Sequence, residues 1–405
     1  MPEVKHILVV VPGRTPSAVI NVITPLTTLH EAGLVHARIL IQNDVTPQDV
    51  AAADVIVLCR IFTPVYRPIA ELALTLKIPI IYDLDDHLLG APKGSITDQL
   101  FQTPGRRETL EWLLRVSSLV RVYSPTLERI VQAYNPSTRL VWAPVNWSLV
   151  PPVLPTLSMN PLHIVYAAQA ETGEKMYQFI QQDLQTILER YGSRIRLHFM
   201  GYIPPDLNRH PLVICHPFES DYATFFSQFT RFGYAIGLAP MVDDLFHNSK
   251  TNIKFRDYAA AGAAGIYADT PLYRGNGVVD GETGLLVSGE PGSWESALTR
   301  LIENPTLIES IRQKARQYVE KHYNMDEVGR MWMENIQSLP PRQPLSDAEK
   351  MLVQNTRWSF SFTGVLNPET PWVARSLNML RKFLPVRWKI FLLDTILALK
   401  KRLHI

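Results

Sequence analysis

The feature that most limits the fold is a repeated alternation of short, continuous apolar runs with amphipathic stretches. "HILVVV", "ARILIQ", "ADVIVLC" and "IPIIYDL" are such runs, and "AVINVITPLTTLHEAG" and "PIAELALTLK" are patterned as helices between them. A strand that is apolar on both faces must be covered on both, and a chain that returns through a helix each time pairs its strands in parallel. "LEWLLRVSSLVRVYSP" adds another helix feeding a strand. Residues 1–150 are therefore expected to form a doubly wound α/β domain.

The alternation stops at "SLVPPVLPTLSMNP", where proline density disfavours helix and marks a hinge or linker over 151–161. It resumes with "LHIVYAA", "YQFIQQDLQTILERYG", "IRLHFMG", "ATFFSQFTRF", "YAIGLAP" and "GLLVSG", followed by "WESALTRLIENP" and "LIESIRQKARQYVEKHY" as helices. This predicts a second α/β domain over 162–338, and 405 residues are in any case too many for one ordinary core. Open α/β sheets bind ligands at the carboxyl ends of their strands, so two facing domains make a cleft.

Residues 339–405 read differently. "SLPPRQPLSDAEK" is a linker, and from Trp372 to Ile405 eight Lys or Arg stand against one acid, Asp394. Leu377, Leu380, Leu384, Trp388 and Phe391 recur at steps of three or four, which predicts a basic amphipathic helical tail. An anionic membrane surface, the first domain or a second copy would each cover such a face.

A formal charge of +2 gives no reason to expect nucleic acid as a partner. Two distant cysteines, Cys59 and Cys215, lack metal-ligand spacing and fit a reducing compartment. The first apolar run is too short for a secretory segment, and no run reaches about 18 uncharged apolar residues. The expected location is cytoplasmic, with the tail as a means of peripheral attachment to the inner face of a membrane.

"KFRDYAAAGAAGIYAD", "VVDGETGLLV", "WESALTRLIENP" and "ARQYVEKHY" together resemble the C-terminal domain of GT-B glycosyltransferases, most closely family 4. "SLVRVYSPTLERIV" and "RLVWAPVNW" resemble the last strands of the N-terminal domain of the same fold. The resemblance runs over roughly residues 5–335 and is most specific over 250–287. It implies two Rossmann-like domains facing a cleft, with the nucleotide-sugar donor mainly on the second and the acceptor (a glycan, a lipid-linked sugar or a protein) on the first. It also implies transfer with retention and without a metal. A nucleotide-sugar epimerase and a glycosyltransferase-like binding subunit without catalysis are the rival readings, since one fold hosts several chemistries.

The family carries two glutamates eight positions apart, the second five before a helix glycine. Aligned on Gly262, the second position is Asp257, implied to accept from the ribose hydroxyls, and the first is Ser249, where the carboxylate is missing. Lys250 and Lys254 flank this point as cations for the leaving diphosphate, and helix amides add to them. A solvated charged face made of Lys254, Arg256 and Asp257 is the plainer alternative. Lys175, after "AAQAETGE", is a third cation candidate. Gly262 is expected to end its helix in a left-handed turn.

On the first domain, Asp83, Asp85 and Asp86 close an apolar strand in "IPIIYDLDDHLL". Close carboxylates repel and raise a pKa. They can orient acceptor hydroxyls or take a proton, hold a divalent cation, or cap the following segment, and His87 can join the first two roles. Gly13, in "VVVPGRTPSA", lets a ligand approach the backbone, and Arg14 is a phosphate or acceptor contact; a tight turn and a surface arginine are the alternatives.

Overall fold

The apolar runs become the strands of two parallel sheets. In the first sheet they are β1 (Lys5–Val11), β2 (Val35–Ile41), β3 (Val55–Cys59), β4 (Ile80–Leu84), β5 (Leu119–Val122) and β6 (Thr138–Leu140). In the second they are β7 (Leu162–Ala168), β8 (Ile195–Gly201), β9 (Val213–His216), β10 (Ile236–Ala239), β11 (Ala264–Ala268) and β12 (Leu285–Val287). The orders are β2-β1-β3-β4-β5-β6 and β12-β11-β10-β7-β8-β9, with every ladder parallel. Strand order reverses between β1 and β3 and again between β7 and β10, so each sheet has its ligand crevice at that point. This computed structural model describes residues 4–358 and residue 360, and both sheets lie within one unit, Met1–Arg357. The tail predicted over 372–405 falls outside the described residues. Among the described residues no helix is long and apolar enough to cross a membrane.

The first helical stretch starts earlier than its sequence pattern suggests and is not uniform. It runs as Pro16–Ala18, a π segment Val19–Ile23, and Thr24–Glu31. Pro25 has no N–H to give to Asn21, and the freed Asn21 carbonyl lies 3.4 Å from the Tyr123 hydroxyl. The proline is thus accommodated by a wider turn beside the crevice.

Two assignments made from sequence change. The proline-rich stretch is not a free hinge. The Arg312 guanidinium donates to the Pro155 carbonyl at 2.8 Å, Arg316 to Pro151 at 3.2 Å, and Thr230 to Leu149 at 2.9 Å. Prolines offer carbonyls without competing N–H groups, and these side chains fasten the linker to helices of the second sheet. The second change concerns the helix Met325–Gln337, assigned by sequence to the second domain. Its Val328, Trp332 and Ile336 lie in the core of the first sheet, with Val9, Val22 and Leu26. A Cβ at Gly329 would stand 3.3 Å from Leu29, so the two helices approach closely at that glycine. Helical periodicity shows that a face is apolar but not which sheet it covers.

Three histidines form a ladder across β7, β8 and β9. His163 Nδ1 is 2.8 Å from His198 Nε2, and His198 Nδ1 is 3.0 Å from His216 Nε2. His198 is fully buried against Phe232 and Tyr234, and burial, with its two neighbours, pushes its pKa down to about 3. The folded ring stays neutral while the unfolded chain takes up a proton below about pH 6.5. Its share of stability therefore falls as the pH drops from there, by up to about 1.4 kcal/mol per pH unit. His198→Phe should lose less stability than the parent between about pH 7 and pH 5 in denaturant titrations. Equal slopes would contradict the assignment.

Candidate functional site

The carboxyl ends of the two sheets meet. Lys250 Nζ, on the segment after the short helix Leu245–Asn248, lies 3.2 Å from Asp86 Oδ1, just beyond β4. Ser124, beyond β5, donates from its hydroxyl to the Ser249 carbonyl at 2.9 Å. Two adjoining cavities open at this junction. One of about 390 Å³ is lined by Arg14 and Ile20 from the first half, Asn146 and Leu149 from the connection, and Asp221 and Tyr222 beyond β9. The other, of about 150 Å³, is lined by Gln169, Met200, Phe218, Glu219, Lys254 and Asp257, and the two share Pro16, Ser220 and Tyr222.

The smaller cavity is built on the helix Ile253–Ala261. This helix ends at Gly262, whose φ of 71° is the left-handed turn expected from sequence. A Cβ there would come within 2.5 Å of Leu154 in the linker. Gly262→Ala should therefore lower stability by about 1–3 kcal/mol in thermal melts, and an unchanged midpoint would refute the requirement.

The charged start of this helix is not a solvated face. Arg256 is 2% exposed and donates to the Ala143 carbonyl at 2.9 Å. Asp257 is 5% exposed, accepts from the Tyr222 hydroxyl at 3.2 Å, and lies 3.9 Å from Arg256 Nε. Burial pushes the Asp257 carboxyl up against the pull of Arg256 and Lys254. Burial also pushes the Lys254 ammonium down, opposed by Asp257. Lys254 and Asp257, three apart on one face of the helix, both line the cavity.

Ser249 is fully buried and donates to the Leu245 carbonyl at 2.6 Å, so its hydroxyl is spent on backbone and lines neither cavity described. Lys250 rests over the Phe246 ring at 4.4 Å while paired with Asp86. Lys175 sits exposed in the last turn of Ala170–Tyr177 and is not among the lining residues of either cavity. Gly13 follows β1 beside Arg14, with nothing within 4 Å of where a Cβ would stand. Gly284 answers to packing, since a Cβ there would meet the Tyr267 ring at 2.6 Å.

The three aspartates, grouped by sequence, do different things. Asp83 is 1% exposed and turns inward, accepting from the Tyr123 hydroxyl at 2.7 Å with Arg121 Nε at 3.4 Å. Its carboxyl is pushed up to about 7, by burial before any repulsion from Asp85, and against the pull of Arg121 and Tyr123. Its contribution to stability is full in acid and is lost as the pH rises through about 7, opposite in sign to that of His198. Asp85 and Asp86 are held instead by Arg60, whose Nη1 lies 2.8 and 3.4 Å from them. Among the described residues no group of three or more His, Cys, Asp or Glu is arranged to hold a metal ion. The His87 ring packs over Gly90, where a Cβ would come within 2.2 Å of it.

Sequence reasoning missed Arg60, Phe218, Tyr222 and Ser124. Arg60 directly follows the apolar run "ADVIVLC" at a carboxyl end, and that position was the available signal. Phe218 and Tyr222 follow β9, a short edge strand whose half-exposed "VICH" carries no clear period.

Two parallel Rossmann-like sheets meeting at their carboxyl ends, with the helix Met325–Gln337 crossing back to the first sheet, define the GT-B fold. The solved structures agree. Anabaena HepE in complex with UDP and glucose matches at 14% identity and TM-score 0.58, over 83% of this chain and all of that one. Sucrose-phosphate synthase from Thermosynechococcus elongatus matches at 13% and 0.61, over 82% and 98%. A glycosyltransferase from Rickettsia africae matches at 12% and 0.55, over 82% and 98%. No family model matches the chain, and a search of curated proteins finds no match either. At these identities the likeness establishes the fold.

Proposed function

We propose that this protein is a glycosyltransferase that moves a sugar from a nucleotide-diphosphate sugar to an acceptor bound between the sheets. The observation that carries the reading is the buried Asp257 beside Lys254 on the wall of the smaller cavity, with Lys250 of the same half outside both linings and paired across the junction to Asp86. Asp257 suits ribose hydroxyls as their acceptor, and Met200 and Phe218 supply an apolar wall for the base. In this reading Lys250 and Lys254 stabilise the departing diphosphate, and binding of donor and acceptor in one cleft brings the reacting groups together. The larger cavity, with Arg14, Asn146 and Asp221, is mixed in polarity and suits the hydroxyls and rings of a sugar acceptor. HepE, solved with UDP and with UDP-glucose, supports a nucleotide-sugar donor. Retention of anomeric configuration, hexosyl transfer in glycan or glycoconjugate synthesis, independence of metal, and attachment to anionic membranes through 372–405 belong to the same proposal.

One observation favours a binding subunit without catalysis: the buried Ser249 presents no group to the cleft where the family resemblance calls for a glutamate. Incubation with UDP-, GDP- and ADP-sugars and a set of glycan acceptors separates the readings. Transfer is expected to release the nucleoside diphosphate and yield a product whose anomeric signal retains the donor configuration. An isomerised donor would indicate an epimerase, and binding without turnover the subunit. Co-sedimentation with anionic liposomes, unchanged on removal of 372–405, would overturn membrane attachment.

A further inference from the structure

Among the described residues two that are not glycine have positive φ, Arg60 at 52° and Lys77 at 55°. Lys77 follows the helix Arg67–Thr75, and the bonds from Lys77 N to Leu74 O and from Ile78 N to Ala73 O show an ordinary helix end. Arg60 ends a strand, where no helix terminus asks for that conformation. A left-handed L-residue costs stability and persists where its surroundings impose it, most often at functional sites.

What the conformation secures is a line of charge. Arg60 N donates to the Asp83 carbonyl at 3.0 Å, which anchors the residue at the end of β3, next to the point where strand order reverses. Its Nη1 then reaches Asp85 Oδ1 at 2.8 Å and Asp86 Oδ2 at 3.4 Å, while the other oxygen of Asp86 accepts from Lys250 at 3.2 Å. Lys250, Asp86, Arg60 and Asp85 thus alternate in sign from the second half to the first. Asp85 is 5% exposed, so a carboxylate there without Arg60 would sit buried beside another of like charge.

We infer that Arg60 is a positioning residue for donor binding: it lets Lys250 pass from Asp86 to the diphosphate by keeping Asp86 neutralised once the lysine has moved. This rests on the donor-site reading above. A diphosphate and Asp86 compete for one ammonium. If Asp86 had no second cation, giving up Lys250 would strand two carboxylates beside an incoming polyanion. With Arg60 in place the exchange leaves each anion next to a cation, and it concerns only a ligand long enough to reach Lys250. Arg60 therefore raises the preference for nucleoside diphosphates over monophosphates.

Calorimetric titration of the full chain with UDP and UMP tests this, with GDP and ADP run alongside so that the nucleotide bound best becomes the probe. Arg60→Gly relieves the backbone but leaves Asp85 buried without its cation, so its melting midpoint should fall. Binding is titrated well below that midpoint, with Arg60→Lys, which keeps the charge, as the control for folding. UDP binding should weaken about ten-fold, with less than a two-fold change for UMP. Asp86→Asn should tighten UDP binding several-fold, because Lys250 then has no competitor. The double variant should recover most of the loss, and Arg60→Lys should recover part of it. Unchanged UDP affinity in Arg60→Gly, equal losses for UDP and UMP, or no recovery in the double variant would each overturn the inference while leaving the donor site intact. A parent protein that binds none of the three diphosphates would overturn the donor-site reading, and this inference with it.

Discussion

Lys250→Ala is expected to lower donor-dependent turnover by roughly 10²–10³-fold with little change in stability. The magnitude follows from losing one pre-placed cation or donor at a site where charge develops. Bond cleavage at the donor sugar leaves growing negative charge on the diphosphate, and Lys250 is a cation at the junction, paired with Asp86 of the first half. Asp86 keeps Arg60 at 3.4 Å when the lysine is removed, so it is not left without a cation and the loss to folding should be small. Turnover of the donor panel by parent and variant, with thermal melts as a control, checks this. Unchanged turnover would remove Lys250 from the chemistry.

The largest expected effect on stability lies in the core of the first sheet. Trp332→Ala should cost about 3–5 kcal/mol in denaturant unfolding, the usual range for emptying a large aromatic site. Trp332 is fully buried in the core of the first sheet, and the Arg121 guanidinium lies over its ring at 3.3 Å. Arg121 is itself fully buried, with Nη1 and Nη2 lacking hydrogen-bond partners and Asp83 as its counter-ion. The ring therefore fills space and faces a cation that has exchanged water for its π surface. Trp332→Phe should lose less, since part of the volume and the aromatic face remain. A loss below about 1 kcal/mol in the alanine variant would show that the crossing helix is not a principal anchor of the first sheet.

Both predictions concern side chains whose importance the sequence shows unevenly. Lys250 was legible through its place before a motif that resembles a known family. Trp332 was legible as an apolar position on a helix, but not as part of the first sheet's core. Arg256 shows the same limit. Read along the chain, it stands in a charged run next to Lys254 and Asp257, and a solvated face is a fair reading. In the fold it is buried and donates a hydrogen bond to the Ala143 carbonyl, 113 residues away in sequence. The aspartates of "DLDD" read as one cluster and separate into two environments. Asp83 faces Tyr123 and Arg121, while Asp85 and Asp86 face Arg60.

The two parallel sheets, most of their strands, and the glycine stop of the helix at Gly262 were readable along the chain. Each of these rests on local pattern: continuous apolar runs, helical spacing, and the freedom of glycine at positive φ. Only the folded chain shows which sheet the helix Met325–Gln337 covers, that the proline-rich linker is fastened rather than free, and which cation each carboxylate meets. Those outcomes depend on partners distant in the chain, and burial sets their strength by removing the water that would otherwise screen them. Arg60 marks the boundary: its position after a strand was readable, but its left-handed backbone and its two aspartate partners exist only in the folded chain.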